Sequence, residues 1–200
     1  MSSSMWDQRF SEPGYAYGTQ ENTFLRDQVQ RIPKGRVLSL AEGEGRNAAF
    51  LASCGHDVTA VDASPVGLAK ARRLARQRGV EIHTVLADLE DFRINESTWH
   101  GIVSIFCHLP PKLRRQVHSR CADGLTPGGV FVLEGFSPRQ LELKTGGPRD
   151  PELLVEGETL AQELSGLEIL LSREIERPIE EGKYHGGIAS VVQLVAARPV

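Results

Sequence analysis

Cysteine is scarce in this chain, and the few cysteines do not pair. Cys54, Cys107 and Cys121 are an odd number with no C-x-x-C spacing, which argues against a disulfide framework and fits a reducing cytoplasm. No apolar run approaches the roughly 20 residues of a membrane-spanning helix. The opening MSSSMWDQRF has no apolar stretch, so no secretory signal is expected. Neither sign of charge dominates. The net charge is -3, which gives no electrostatic track for a phosphate backbone. The one basic cluster, Lys70, Arg72, Arg73, Arg76 and Arg78, falls on a predicted helix and reads as a solvated face. The expectation is a cytoplasmic protein with no nucleic-acid or membrane partner, monomeric or weakly homodimeric.

What is present suits one α/β domain over residues 1–200, with residues 1–32 as an N-terminal arm and helix covering the site. At this length a single core buries enough apolar surface to need no disulfide or metal staple. Asn22 caps a predicted helix over 22–31 with Phe24, Leu25 and Val29 on its apolar side. An apolar run at 36–40 reads as a buried strand. Glu42-Gly-Glu-Gly45 is its turn, and a helix over 47–54 stops at Gly55. The cycle then repeats: strand 58–61, a helix opened by Ser64-Pro65 and closed by Gly79, and strands at 81–86 and 102–106. A helix starts at Pro111, Pro127-Gly128-Gly129 makes a turn, and 130–133 is a fifth strand. Strands alternating with helices predict a doubly wound, mostly parallel sheet with helices on both faces. Segments 167–176 and 188–197 break the alternation. Only a Pro-, Gly- and charge-rich stretch, 177–187, separates them, so they are expected as an antiparallel hairpin.

In such a sheet, ligands bind outside the carboxyl ends of the strands. Gly43 and Gly45 clear the backbone after the first strand, and the next helix is expected to aim free N–H groups at the ligand. Arg46 stands at that helix start, placed to fork a carboxylate. Asp62, after the second strand, suits two ribose hydroxyls. Asp88, after the third, suits an adenine amine. Three such features on successive strand ends point to an adenosine ligand. Gly43-x-Gly45-x-x-Ala48 with Asp62 also fits a dinucleotide fingerprint, so an NAD-dependent oxidoreductase is the rival enzyme reading. Little chain remains for a separate substrate domain, and the closing hairpin is foreign to a standard dinucleotide fold.

The chain resembles the class I S-adenosylmethionine-dependent methyltransferases, and within them a small bacterial branch related to tellurite-resistance and thiopurine methyltransferases. The resemblance rests on Tyr17-Gly-Thr19, Phe24-Leu25, VLSLAEGEGRN at 37–47, Val61-Asp62-Ala63-Ser64 and Ala87-Asp88-Leu89. SIFCHLP at 104–110, LTPGGVFVLEGF at 125–136 and the closing EGKYHGGIASVVQLVA extend it over nearly the whole chain. It implies S-adenosylmethionine as cofactor and strand order 3-2-1-4-5-7-6 with the seventh strand antiparallel. By the same resemblance Gly43 and Gly45 line the methionine part and Arg46 faces its carboxylate. Asp62 and Ala63 hold the ribose and adenine edge, Asp88 and Leu89 the adenine, and Phe106 lies near the methyl-donating end. Tyr17 joins this cofactor-binding set. Three places depart from the pattern: Ser39 replaces the usual acid of the first strand, Ala41 its usual first glycine, and Trp99-His100-Gly101 stands where an acid usually precedes the fourth strand. Either Glu42 or backbone carbonyls can stand in toward the cofactor ammonium.

On the acceptor side, His108, Glu134, Tyr184 and His185 are the catalytic candidates, with Arg139 as a further polar group. Glu134, at the end of the fifth strand, is expected near the cleft. Tyr184 and His185 also read as plain hairpin-tip residues. Cys107-His108 is no metal pair, because neighbours on an extended segment point opposite ways, and no metal is expected. Trp6, Tyr15 and Tyr17 suit either an aromatic lid or an anchor for the arm. The expected reaction is methyl transfer to a small molecule with a soft nucleophile, a thiol or a chalcogen oxyanion. The alternatives are a non-catalytic adenosine-ligand binder and the NAD-dependent oxidoreductase.

Overall fold

A computed structural model describes residues 3–200. One sheet of seven strands organises them: β1 (Arg36–Leu40), β2 (Asp57–Asp62), β3 (His83–Leu86), β4 (Trp99–Ile105), β5 (Leu125–Phe136), β6 (Glu168–Glu181) and β7 (His185–Ala197). Their order is β3-β2-β1-β4-β5-β7-β6. The first five strands run parallel and β7 is antiparallel to both of its neighbours. This is the expected strand order and polarity.

The core follows from alternation along β1. Leu38 and Leu40 face a layer that includes Val117 and Cys121 of α5 (Pro111–Gly124) and Leu160 of α7 (Gly157–Glu163). Val37 faces the other side, against Leu25 of α2 (Thr23–Gln28) and Ala48 and Leu51 of α3 (Arg46–Ser53). Successive strand residues point to opposite faces, so both layers are apolar and the central strands read as continuous apolar runs. Outside α3 lies α4 (Pro65–Gln77), joined to it through Ala49, Leu74 and Ala75.

Asn22 caps α2 as expected, accepting from the Leu25 N–H at 2.9 Å. The helix is shorter than read, however, and continues as a 3-10 turn, Val29–Arg31. Ser64 caps α4 and Pro65 opens it. Three readings need correction. The stretch 177–187 is mostly strand: β6 runs to Glu181 and β7 starts at His185, leaving only 182–184 as the turn. A charge-rich edge strand lacks the apolar alternation that marks a half-buried one, and β6 shows this by exposing many of its residues. Pro127-Gly128-Gly129 lies within β5 as an irregularity in its pairing with β4, not before the strand. The basic face of α4 is not simply solvated. Lys70 donates to Glu44 and to the Glu12 and Gly14 carbonyls, and Arg73 lies over the Tyr15 ring. That face fastens the N-terminal arm, which begins as helix α1 (Ser3–Phe10). Among the described residues no helix is long and apolar enough to cross a membrane.

Candidate active site

The sheet reverses its winding between β1 and β4, and there the cleft opens. Beyond β1 the backbone turns through positive φ at Ala41 (47°), Gly43 (64°) and Gly45 (93°). Gly45 is required twice over, since a Cβ there would stand 2.5 Å from the Ala71 Cα. Glycine cannot cap α3 with a side chain, and Glu42 does so instead. Its Oε1 accepts from the N–H groups of Asn47 (3.1 Å) and Ala48 (3.0 Å), and its Oε2 accepts from the Ser39 hydroxyl. The helix N–H groups expected to greet a ligand are therefore already taken. Both Glu42 oxygens are engaged as well, although its side chain is part of the cleft wall. Burial pushes the Glu42 carboxyl up despite these donors.

Asp62 ties the ends of β1 and β2 together. Its Oδ2 accepts from the Gly43 N–H and its Oδ1 from the Ser64 N–H, both at 2.8 Å. A carboxylate carries about four acceptor positions, so each oxygen keeps room for a further donor. Burial raises its pKa against those two hydrogen bonds. Asp88 and Leu89 close this end with Ala63. The Asp88 side chain is exposed and accepts from the Glu90 N–H at 2.9 Å. Behind the turn, Arg120 of α5 donates to the carbonyls of Leu89 (2.7 Å), Phe92 (2.8 Å) and Glu90 (3.3 Å). One guanidinium thus fixes the backbone of the whole turn.

Arg46 does stand in the cleft, but it is already paired. Its Nη2 lies 2.8 Å from Glu181 Oε2. Glu181 also faces His185 Nδ1 at 3.2 Å. Burial alone would raise the Glu181 carboxyl; the His185 hydrogen bond and the Arg46 charge outweigh it and bring it down to about 2. Sequence reading missed Glu181, because its strand was read as loop. The signal available was Glu181 four residues before His185 in the same hairpin.

Glu134 is not in the cleft wall as expected. It is fully buried, and it accepts from Asn22 Nδ2 (2.8 Å), Arg177 Nε (3.1 Å) and Gln193 Nε2. Asn22 also reaches Glu181 Oε1 at 3.2 Å. These groups form a buried ionic network beneath the site. Arg139 lies outside as well, in an exposed pair with Glu176.

The end of the cleft away from Asp62 and Asp88 is aromatic. Phe106, at φ 52°, stacks on Phe136 with centroids 4.6 Å apart. His185 meets Phe106 and Phe136 edge-on at 5.1 and 5.3 Å and Tyr17 at 4.6 Å. His108 stacks 5.7 Å from Phe136, and burial, helped by the nearby His185, depresses it to about 3, so it is neutral at ordinary pH. The Tyr184 hydroxyl donates to Glu12, a bond that raises its pKa.

The arm lies over the cleft from the turn after β1 to this aromatic end. Phe10 packs on Gly43 and Gly67, where a Cβ would lie 3.1 and 2.9 Å from its ring. Trp6 stacks on Phe10 at 5.5 Å, while Arg9 donates to the Tyr17 hydroxyl at 2.7 Å and lies 4.6 Å over the Tyr184 ring. Trp6 and Tyr17 thus line the cleft, whereas Tyr15 anchors the arm on α4. The cleft has a volume of about 1080 Å³.

Residues 37–129 match the family described as a methyltransferase domain. A 2-heptyl-1-hydroxyquinolin-4(1H)-one methyltransferase of Mycobacteroides abscessus is 26% identical over 153 residues, 74% of this chain and 67% of its own length. The ribosomal protein L11 methyltransferase of Symbiobacterium thermophilum is 30% identical over 157 residues, 73% of this chain and 48% of its own. The chain therefore spans about two thirds of one curated relative and about half of the other. Among solved structures, TehB from Haemophilus influenzae superposes with a TM-score of 0.72 at 20% identity, over 89% of this chain and 62% of that one.

Proposed function

The chain belongs to the class I S-adenosylmethionine-dependent methyltransferases, and from that premise we propose that it methylates a small molecule bearing a soft nucleophile, a thiol or a chalcogen oxyanion. The observation that carries this reading is the shape of the cleft. At about 1080 Å³ it exceeds the roughly 300–1,000 Å³ that one small ligand fills, and the arm covers its acceptor end. That leaves room for a cofactor and a modest second ligand, with water kept out. The quinolone methyltransferase relative, whose named acceptor is a small molecule, supports the same class.

The residues fit the cofactor. Gly43 leaves a bare backbone where the methionine part would pass, Gly45 lets α4 pack against that turn, and Asp62 has acceptor capacity left for ribose hydroxyls. Ala63, Asp88 and Leu89 would hold the adenine, and Arg46 a carboxylate. Tyr17 and Phe106 would flank the sulfur end. When bound, the sulfonium supplies an electrophilic methyl group, so the hard chemistry belongs to the cofactor. The protein's share is alignment, which is worth roughly 7–11 kcal/mol in well-oriented reactions. With His185 Nδ1 held by Glu181, Nε2 is the ring atom left to take a proton from the acceptor. Neutral His108 and the Tyr184 hydroxyl would orient it. Glu134 acts from below, by holding Arg177 and Asn22 in place, and exchanges no proton with the acceptor.

A dinucleotide oxidoreductase is not favoured, since the family match is to a methyltransferase domain and the last strand is antiparallel. A non-catalytic binder is not favoured on the same family match. The test is a screen with radiolabelled methyl donor against small thiols, chalcogen oxyanions, RNA and ribosomal protein. Label should enter small acceptors. Label entering only macromolecules would overturn the proposed acceptor class.

A further inference from the structure

The two ends of the cleft differ in charge. Its acidic lining residues, Glu42, Glu44, Asp62, Asp88 and Glu90, all lie at or just after the ends of β1, β2 or β3, beside Arg46, whose charge Glu181 already pairs. The wall opposite, made by the loop after α6 (Gln140–Leu143), contributes Lys144 and Arg149 and no acid. Neither cation makes an ion pair or hydrogen bond among the described residues, apart from the backbone N–H of Lys144 on the Gln140 carbonyl.

The loop between them is built, not slack. Lys144, Gly146 and Gly147 have φ of 57°, 133° and 80°. Buried Gln140 clamps it, donating to the Gly146 carbonyl at 3.1 Å and Thr145 Oγ1 at 3.0 Å while accepting from the Ser190 N–H at 2.9 Å. A Cβ on Gly146 would lie 2.8 Å from the Tyr184 carbonyl, and one on Gly147 would lie 2.8 Å from the Phe136 ring. Only glycine lets the backbone come this close to the acceptor end. The backbone N–H groups of Gly146, Gly147 and Arg149 donate to nothing among the described residues. Successive N–H groups in such turns form a concave anion site, and here two cations flank it.

We propose that Lys144, Arg149 and the Gly146 and Gly147 amides form an anion cradle, so that the methyl acceptor carries a negatively charged group, an oxyanion or a carboxylate. This rests on the small-molecule reading above and narrows it. Acidic lining would repel such an acceptor from the cofactor end, and the cradle would draw it to the aromatic end beside His185.

The test is an amide NMR titration of the full chain saturated with S-adenosylhomocysteine. The probes are sodium sulfate, 3-mercaptopropionate and its neutral counterpart 3-mercaptopropionamide. Sulfate and the carboxylate probe should shift the Gly146 and Gly147 amides saturably, and the neutral probe should not. Combined Lys144→Asn and Arg149→Gln should raise the carboxylate probe's midpoint about tenfold or more, the scale of lost charged hydrogen bonds. Asparagine tolerates the left-handed backbone at 144, and S-adenosylhomocysteine binding should stay unchanged. Equal response to charged and neutral probes, no saturable shift at those glycines, or an unmoved midpoint in the double variant would each overturn the cradle. None of these readouts needs turnover. Label found only in macromolecules overturns the acceptor class itself, so the two failures are distinguishable.

Discussion

The cofactor end and the acceptor end of the cleft are held together differently. The cofactor end is tied by single carboxylates accepting from backbone N–H groups: Glu42 caps α3 and Asp62 joins two strand ends. Burial pushes both carboxyls up, so each still gains from further donors. The acceptor end stands on ion pairs between side chains, two of them far apart in sequence, Glu134 on Arg177 and Glu181 on Arg46, and one local, Glu181 on His185. There the cations win over burial and Glu181 is held low. One end is poised to accept hydrogen bonds from a ligand; the other rests on an ionic floor that is already satisfied and rigid.

The largest expected effect tests that floor. Glu134→Ala takes the nearer carboxylate from half-buried Arg177 and the acceptor from buried Asn22 and Gln193, and should cost about 3 kcal/mol of stability, the low end of the scale for breaking a buried pair. Urea unfolding checks it. A cost no larger than that of an exposed pair would show that the network is not structural. Next comes the cofactor end. Asp62→Ala should weaken S-adenosylhomocysteine by about 2–4 kcal/mol, from two charged hydrogen bonds of about 1.5–3 kcal/mol each. Calorimetry reads it, and unchanged affinity would remove Asp62 from the site.

Glu181 sharpens the contrast through pH. Its carboxyl is lowered to about 2 in the folded chain, against about 4.3 for an unperturbed glutamate. Its contribution is therefore present above the unfolded value and is lost as pH falls through about 4 toward 2; at about 1.36 kcal/mol per unit it is of order 3 kcal/mol. Glu181→Gln should be clearly less stable than the wild type at pH 7, and the gap should shrink on acidification. A gap constant down to pH 3, about where half of it should be gone, would mean the carboxylate is not held by its cations.

The smallest effect concerns Ala41. Its φ of 47° costs an L-residue roughly 1–2 kcal/mol, part of which glycine returns in unfolded-chain entropy. Ala41→Gly should stabilise the chain by up to about 1 kcal/mol. A loss of stability in thermal unfolding would show that the turn is not strained there.

The same contrast explains what could be read beforehand. The cofactor end is local in sequence: glycines after a strand, an aspartate at the next strand end, another after the third. Pattern and order alone placed Gly43, Asp62 and Asp88 around one cleft, while Gly45, read with them, faces α4 instead. The sheet order followed from the alternation of elements with the resemblance. The acceptor end is assembled across the whole chain. Asn22 reaches Glu134 over 112 positions and Glu181 over 159, and nothing local announces such a pair. Glu134 looked like a cleft residue because strand ends usually are, but its side chain points beneath the site. Arg46 was read as free for a ligand because Glu181 lay in a segment taken for loop. No helix was read over residues 3–10, so Arg9 and Phe10 were not foreseen in the roof.

The central claim is that the three strand ends form a site for S-adenosylmethionine. Calorimetric titration of the wild-type chain with S-adenosylhomocysteine and, separately, with NAD tests it most directly. The account predicts saturable one-to-one binding of S-adenosylhomocysteine and much weaker binding of NAD. Tighter binding of NAD would contradict it.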